Sequence, residues 1–95
     1  MGFRLTRQAE IDLVEIAQAG IRLFGENQAA RYHNELFDLF DLIAANPRIA
    51  PERPDIHPPV RIHPSKAHLV VYVVEGAGDI LIIRVRHGHE NWPDA

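Results

Sequence analysis

The side chains best suited to binding an acidic or anionic partner lie near the end of the chain. In the apolar segment 80–86, alternation places Arg84 and Arg86 on one side of a predicted strand. Two guanidinium groups in register can hold carboxylates or phosphates in bidentate pairs. The segment is followed by two further candidates for partner binding, His87 and Trp92, with His89 between them. A simpler interpretation is that the arginines keep an uncovered face soluble and that Trp92 caps the core edge.

A second alternating segment carries Arg61 and His63 between Val60 and Ile62. If this segment forms a neighbouring strand, both side chains can share the open face with Arg84. We therefore expect the sheet to present a small cationic surface to an acidic protein segment.

Metal binding and carboxylate catalysis are not predicted. The pair His87 and His89 lacks acidic or thiolate ligands at a recognisable spacing, and we expect neither a metal nor a cofactor. The acidic residues of the first half fall between apolar positions of helical patterns, which indicates solvated helix faces rather than a catalytic pair. They are Asp12, Glu15, Glu35, Asp38 and Asp41.

Composition narrows the class of protein. The 95 residues contain no cysteine, which excludes disulfides and thiolate zinc sites and suits a cytoplasmic location. No segment approaches the roughly 20 apolar residues of a membrane helix, so no membrane association is expected. The formal net charge of −3 argues against coating nucleic acid through bulk positive charge.

The first half predicts one strand and a helical hairpin. Phe3 and Leu5 alternate with Arg4 as in a short strand, and helical spacing of apolar residues begins at Arg7. Gly25 separates two such patterns, so a hairpin over about 7–46 is expected, with its helices antiparallel.

The second half predicts a connector and a set of strands. Residues 47–59 hold five of the seven prolines, which favours a non-regular connector, and residues 60–87 alternate with period two. We expect Leu81, Ile83 and Val85 to pack on the helices. The chain is thus predicted to be a single α+β domain over 1–95, of order β-α-α-β-β-β, with the hairpin on one face of a mainly antiparallel sheet.

Several fragments together resemble a known family. They are Phe3-Arg4-Leu5, Ala29-Ala30-Arg31-Tyr32, Ala45-Asn46-Pro47-Arg48, Val60-Arg61-Ile62-His63-Pro64, His68-Leu69-Val70-Val71-Tyr72 and the run Ile80 to His87 followed by Trp92. In this order they are similar to the ParE branch of the ParE/RelE toxin superfamily, over nearly the whole chain.

This resemblance implies the toxin of a type II toxin–antitoxin system. Such a toxin is neutralised in a complex with a ParD-like antitoxin, and it contacts operator DNA only through that partner. ParE toxins typically inhibit DNA gyrase by binding it, so the resemblance implies a protein that is not an enzyme.

Two alternatives stay open. RelE relatives are ribosome-dependent mRNA endonucleases, and Arg84 falls where they carry a catalytic arginine, with His87 or His89 available for proton transfer. Against this, Lys66 is the only lysine, and no tyrosine follows Tyr72. The second alternative is a non-toxic homologue that only binds its antitoxin, because His89 and Asn91 replace the arginine and aspartate commoner at the ParE C-terminus.

Overall fold

The helical hairpin forms because two amphipathic segments are joined by a single glycine. In a computed structural model, which describes residues 2–76 and 78–88, α1 spans Arg7–Phe24 and α2 spans Glu26–Ala45. Thr6 caps α1 by accepting a hydrogen bond from the backbone N–H of Ala9. Gly25 joins the helices with a backbone φ of 89°, a conformation that residues other than glycine rarely adopt.

The strands form one five-stranded mixed sheet. They are β1 (Phe3–Leu5), β2 (Glu52–Arg53), β3 (Val60–Ser65), β4 (His68–Glu75) and β5 (Asp79–His87), in the spatial order β1-β5-β4-β3-β2. Only β1 and β5 are parallel. The predicted α+β order is confirmed, with one addition, since the proline-rich connector was expected to be irregular and contains the two-residue strand β2.

The main core lies between the hairpin and one face of the sheet. Helix α1 contributes Ala9 and Leu13, and α2 contributes Leu36 and Phe40, all of them buried. The sheet side of this core comprises Val70, Tyr72, Ile80, Ile82 and Val85. Neither described helix combines the length and apolar character needed to cross a membrane.

The prediction that Leu81 and Ile83 pack on the helices is wrong, whereas Val85 does so. A β-bulge explains the difference. Tyr72 lies opposite Ile82 while Val71 lies opposite Arg84, so Ile83 is an extra residue with no direct partner in β4. Before the bulge the even-numbered residues face the helices, and after it Val85 does.

The other face of the sheet is apolar and partly covered, which corrects the expectation of a bare cationic face. Ile56 of the connector packs there with Val60 and Val71, and all three are at most 6% exposed. Ile62, Val73 and Ile83 pack around this second cluster. Strand β5 is apolar on both sides because both faces of the sheet need apolar residues.

Candidate functional site

The site begins at an edge of β5 that no described strand covers. Strand β1 pairs only with Ile80 to Ile82, so β5 continues beyond the end of β1. Helix α1 and its cap satisfy part of this edge instead. The Thr6 hydroxyl donates to the carbonyl oxygen of Ile83 at 2.7 Å, and the backbone N–H of Val85 donates to Asp12 Oδ2 at 3.0 Å.

Asp12 also fixes Arg84. Arg84 Nε donates to Asp12 Oδ2 at 2.8 Å and Nη2 donates to Oδ1 at 3.1 Å, a bidentate pair. The Asp12 side chain is 6% exposed and that of Arg84 is 24% exposed. The hydrogen bonds from Arg84 to Asp12 raise the pKa of the guanidinium. The carboxylate therefore occupies the place that a neighbouring strand would take beside β5.

A groove of about 840 Å³ runs alongside this edge, between the hairpin and the ends of β4 and β5. One part of its lining is apolar and belongs to α1: Ile16, Ala17, Ala19, Gly20, Leu23 and Phe24. Another part carries charged or titratable groups of both signs: Asp12, Glu15, Arg31, Glu35, Lys66, His68, Arg84, Arg86 and His87. Leu23 is 65% exposed, although it is a large apolar residue. We call this surface the α1/β5 groove.

A hydrogen-bonded cluster closes one end of the α1/β5 groove. The Tyr32 hydroxyl of α2 donates to the carbonyl oxygen of Ser65 at 2.9 Å, and its oxygen lies 2.8 Å from His68 Nδ1. Burial, and then the neighbouring His87, lower the pKa of His68. Burial likewise raises the pKa of Tyr32. Lys66 pairs with Glu35 at 2.7 Å on the exposed side of the cluster.

The residues that were predicted to form one surface lie in two separate places. Arg84, Arg86 and His87 line the α1/β5 groove. Arg61 and His63 do not lie with them, because in β3 they pair with Tyr72 and Val70, whose side chains face the hairpin. The predictions that concern His89 and Trp92 fall outside the described residues.

Arg61 and His63 instead make local contacts. Arg61 Nη1 donates to the carbonyl oxygen of Ala50 at 2.6 Å, which fastens the connector to β3. His63 Nδ1 lies 2.8 Å from the carbonyl oxygen of Pro64. The prediction of an open face shared with Arg84 is thus wrong, because it required β3 and β5 to present these charged residues on the same face of the sheet.

The roles of two groove residues, Asp12 and Tyr32, were not predicted from the sequence. Asp12 was assigned to a solvated face, yet it follows Ala9 by three residues and so falls within the buried stripe of α1. This spacing from Ala9 was the feature of the sequence that could have predicted the burial of Asp12. Nothing local in the sequence indicates that Tyr32 meets His68, since 36 residues separate them.

The family model described as ParE toxin of type II toxin-antitoxin system, parDE, matches residues 3–92. The chain belongs to the ParE toxin family.

Individual relatives agree with this assignment. Toxin ParE1 of Mycobacterium tuberculosis, in strains CDC 1551 / Oshkosh and ATCC 25618 / H37Rv, is 35% identical over 85 residues, which are 90% of this chain and 87% of the relative. A solved structure described as the chromosomal ParDE TA system from P. aeruginosa matches with a TM-score of 0.77. It covers 92% of this chain and 95% of that chain, and at 22% identity it supports the fold.

For a ParE-family chain, the position of Arg84 is the informative feature. An arginine that stabilises a cleaving phosphodiester must direct its charge at the phosphate. Here two of the guanidinium nitrogens donate to Asp12 instead. The arginine is therefore part of the attachment between α1 and β5.

Proposed function

We propose that this ParE-family toxin inhibits DNA gyrase by binding it, and that a ParD-like antitoxin neutralises it by occupying the α1/β5 groove. The observation that carries the choice of target is the bidentate pair between Arg84 and Asp12. It occupies the arginine on which RelE-like mRNA cleavage would depend, which favours inhibition by protein binding.

The α1/β5 groove supports the proposed antitoxin site. Its α1 wall is apolar, and its charged part has four Lys/Arg side chains against the three carboxylates of Asp12, Glu15 and Glu35. A segment with apolar residues on one side and carboxylates on another therefore fits both parts. Exposed apolar residues that line a groove commonly mark sites of protein binding. Arg86 and His87 line the groove that such a segment would occupy. Arg61 instead contacts the connector through Ala50.

The proposed target is tested with purified gyrase. Saturating toxin should inhibit supercoiling or trap cleaved DNA, and the cognate antitoxin should restore activity. Primer extension on mRNA from toxin-producing cells should show no new 5′ ends. New ends that depend on ribosomes would reject gyrase binding in favour of an endonuclease, and unimpaired growth without antitoxin would indicate a non-toxic binding homologue.

The proposed antitoxin site is tested separately with a pair of matched variants. Leu23→Glu places a charge on the apolar wall of the groove, and Val14→Glu places one on the same helix outside the lining. Both residues are exposed, at 65% and 56%, so neither change should disturb folding. Affinity for the antitoxin should fall at least about tenfold for Leu23→Glu, a loss of about 1.4 kcal/mol, and change little for Val14→Glu. Equal affinities for the two variants would place the antitoxin elsewhere.

A further inference from the structure

A pair of histidines faces each other across two strands at the end of the α1/β5 groove. His68 of β4 lies directly opposite His87 of β5. Directly opposed residues of antiparallel strands project from the same face with their Cβ atoms about 4.5–5.5 Å apart. The two imidazole centroids are 5.5 Å apart and the rings are inclined at 75°. The backbone register therefore holds two nitrogen ligands side by side.

Tyr32 determines which nitrogen of His68 is available. A hydroxyl has one hydrogen, and the carbonyl of Ser65 can only accept, so Tyr32 donates to Ser65. The Tyr32 oxygen then accepts from His68 Nδ1, 2.8 Å away. His68 Nδ1 must carry the proton, and Nε2 keeps its lone pair. Histidines that bind metals usually have this arrangement, in which the second ring nitrogen donates to a fixed acceptor.

From this geometry we infer that His68 and His87 form a two-imidazole site for a divalent transition-metal ion of the Zn²⁺ or Cu²⁺ class. Zinc binds imidazole nitrogen at about 2.0–2.1 Å, and two imidazoles at tetrahedral angles place their centroids about 5 Å apart. The observed separation of 5.5 Å is close to that value.

The site is open rather than closed. Among the described residues, no three or more His, Cys, Asp or Glu side chains gather in a group that could hold a metal ion. Two protein ligands leave coordination positions for water or for a donor from a bound partner. A site of this kind exchanges its metal and does not resemble the four-ligand sites that hold small folds together.

The inference is independent of the gyrase and antitoxin proposals, and it is tested on the isolated, untagged chain. After treatment with a chelator, the protein is titrated with Zn²⁺ by calorimetry and with Cu²⁺ by electron paramagnetic resonance. We expect one equivalent per chain, nitrogen hyperfine structure from two imidazoles, and a rise in melting temperature with Zn²⁺.

Variants assign the ligands. His68→Gln and His87→Gln should each lower the affinity at least about tenfold, and Tyr32→Phe should lower it by about tenfold by freeing the orientation of His68. His63→Gln, on the neighbouring strand, is the matched control and should bind as the parent does. His87 is exposed, so its variant tests the site even if His68→Gln fails to fold.

Three results would overturn the inference. They are the absence of binding, equal loss in the His63→Gln control, and loss on His89→Gln with full binding retained by His68→Gln. The last result would assign the metal to the C-terminal histidine tract instead of the cross-strand pair.

Discussion

Replacing Asp12 with alanine should destabilise the protein far more than removing any exposed acid. The Asp12 carboxylate accepts two hydrogen bonds from Arg84 and one from the backbone N–H of Val85. Val85 is buried, so its unsatisfied N–H costs about 1–3 kcal/mol. Breaking a buried ion pair costs about 3–5 kcal/mol, but Arg84 is 24% exposed and regains some hydration. Because this hydration reduces the cost of breaking the ion pair, we expect a total loss of about 3 kcal/mol from the two effects together.

That loss is large for a chain of this size. A domain of 95 residues has a free energy of unfolding of about 5–14 kcal/mol. At about 4–8 °C per kcal/mol, Asp12→Ala should lower the melting temperature by about 12–24 °C. Urea denaturation followed by circular dichroism measures the free energy directly. Asp38→Ala is the matched control, because it removes an exposed aspartate from α2 and should change stability by less than about 0.5 kcal/mol.

A double-mutant cycle with Arg84→Met separates the ion pair from the backbone contact. If the pair is formed, Asp12→Ala and Arg84→Met together should cost about 1–3 kcal/mol less than the sum of the two single changes. A loss below about 1 kcal/mol for Asp12→Ala, or strict additivity in the cycle, would refute the assigned role of Asp12.

Three further predictions concern contacts that join distant parts of the chain. Thr6→Ala removes both the cap of α1 and the bond to Ile83, and it should cost about 1–2 kcal/mol in the same urea assay. Tyr72→Phe leaves the carbonyl oxygen of Pro47 without its donor, 2.8 Å away, and should cost about 1–2 kcal/mol, whereas an unchanged midpoint would show that water replaces the hydroxyl. Burial raises the pKa of Tyr32 and Tyr72, the only two tyrosines. Absorbance at 295 nm should therefore report tyrosinate at a higher pH in the native protein than in guanidinium. Because the phenols ionise more readily in the unfolded chain, stability should fall as the pH rises through the ordinary tyrosine range near 10.

The order and type of the main helices and strands were predictable because a local sequence pattern specifies each of them. Apolar residues at helical spacing specify the hairpin, Gly25 separates its two helices, and period-two segments specify the last three strands. Each of these signals spans a few residues and needs no knowledge of distant parts. The two-residue strand β2 has no such signal, and it forms because Glu52 and Arg53 meet the edge of β3.

The faces on which Ile80, Leu81, Ile82 and Ile83 lie could not be read from alternation. Period two assumes a regular strand, and the extra residue Ile83 breaks it between Ile82 and Arg84. The bulge depends on the register between β4 and β5, which a local pattern does not contain. Arg61 and His63 were placed on the wrong face for a related reason, since which face of β3 meets the hairpin is decided by its pairing with β4.

The pair between Asp12 and Arg84 links the fold to the proposed function. One carboxylate attaches α1 to β5, covers part of an exposed strand edge and holds the arginine against α1. A strand edge left open would be a template for unwanted pairing, so this contact protects it while the adjacent groove remains accessible. An arginine held in this way is poorly suited to stabilise a phosphodiester, which favours the proposal of inhibition by protein binding, with the apolar wall of α1 and its exposed Leu23 as the proposed antitoxin site.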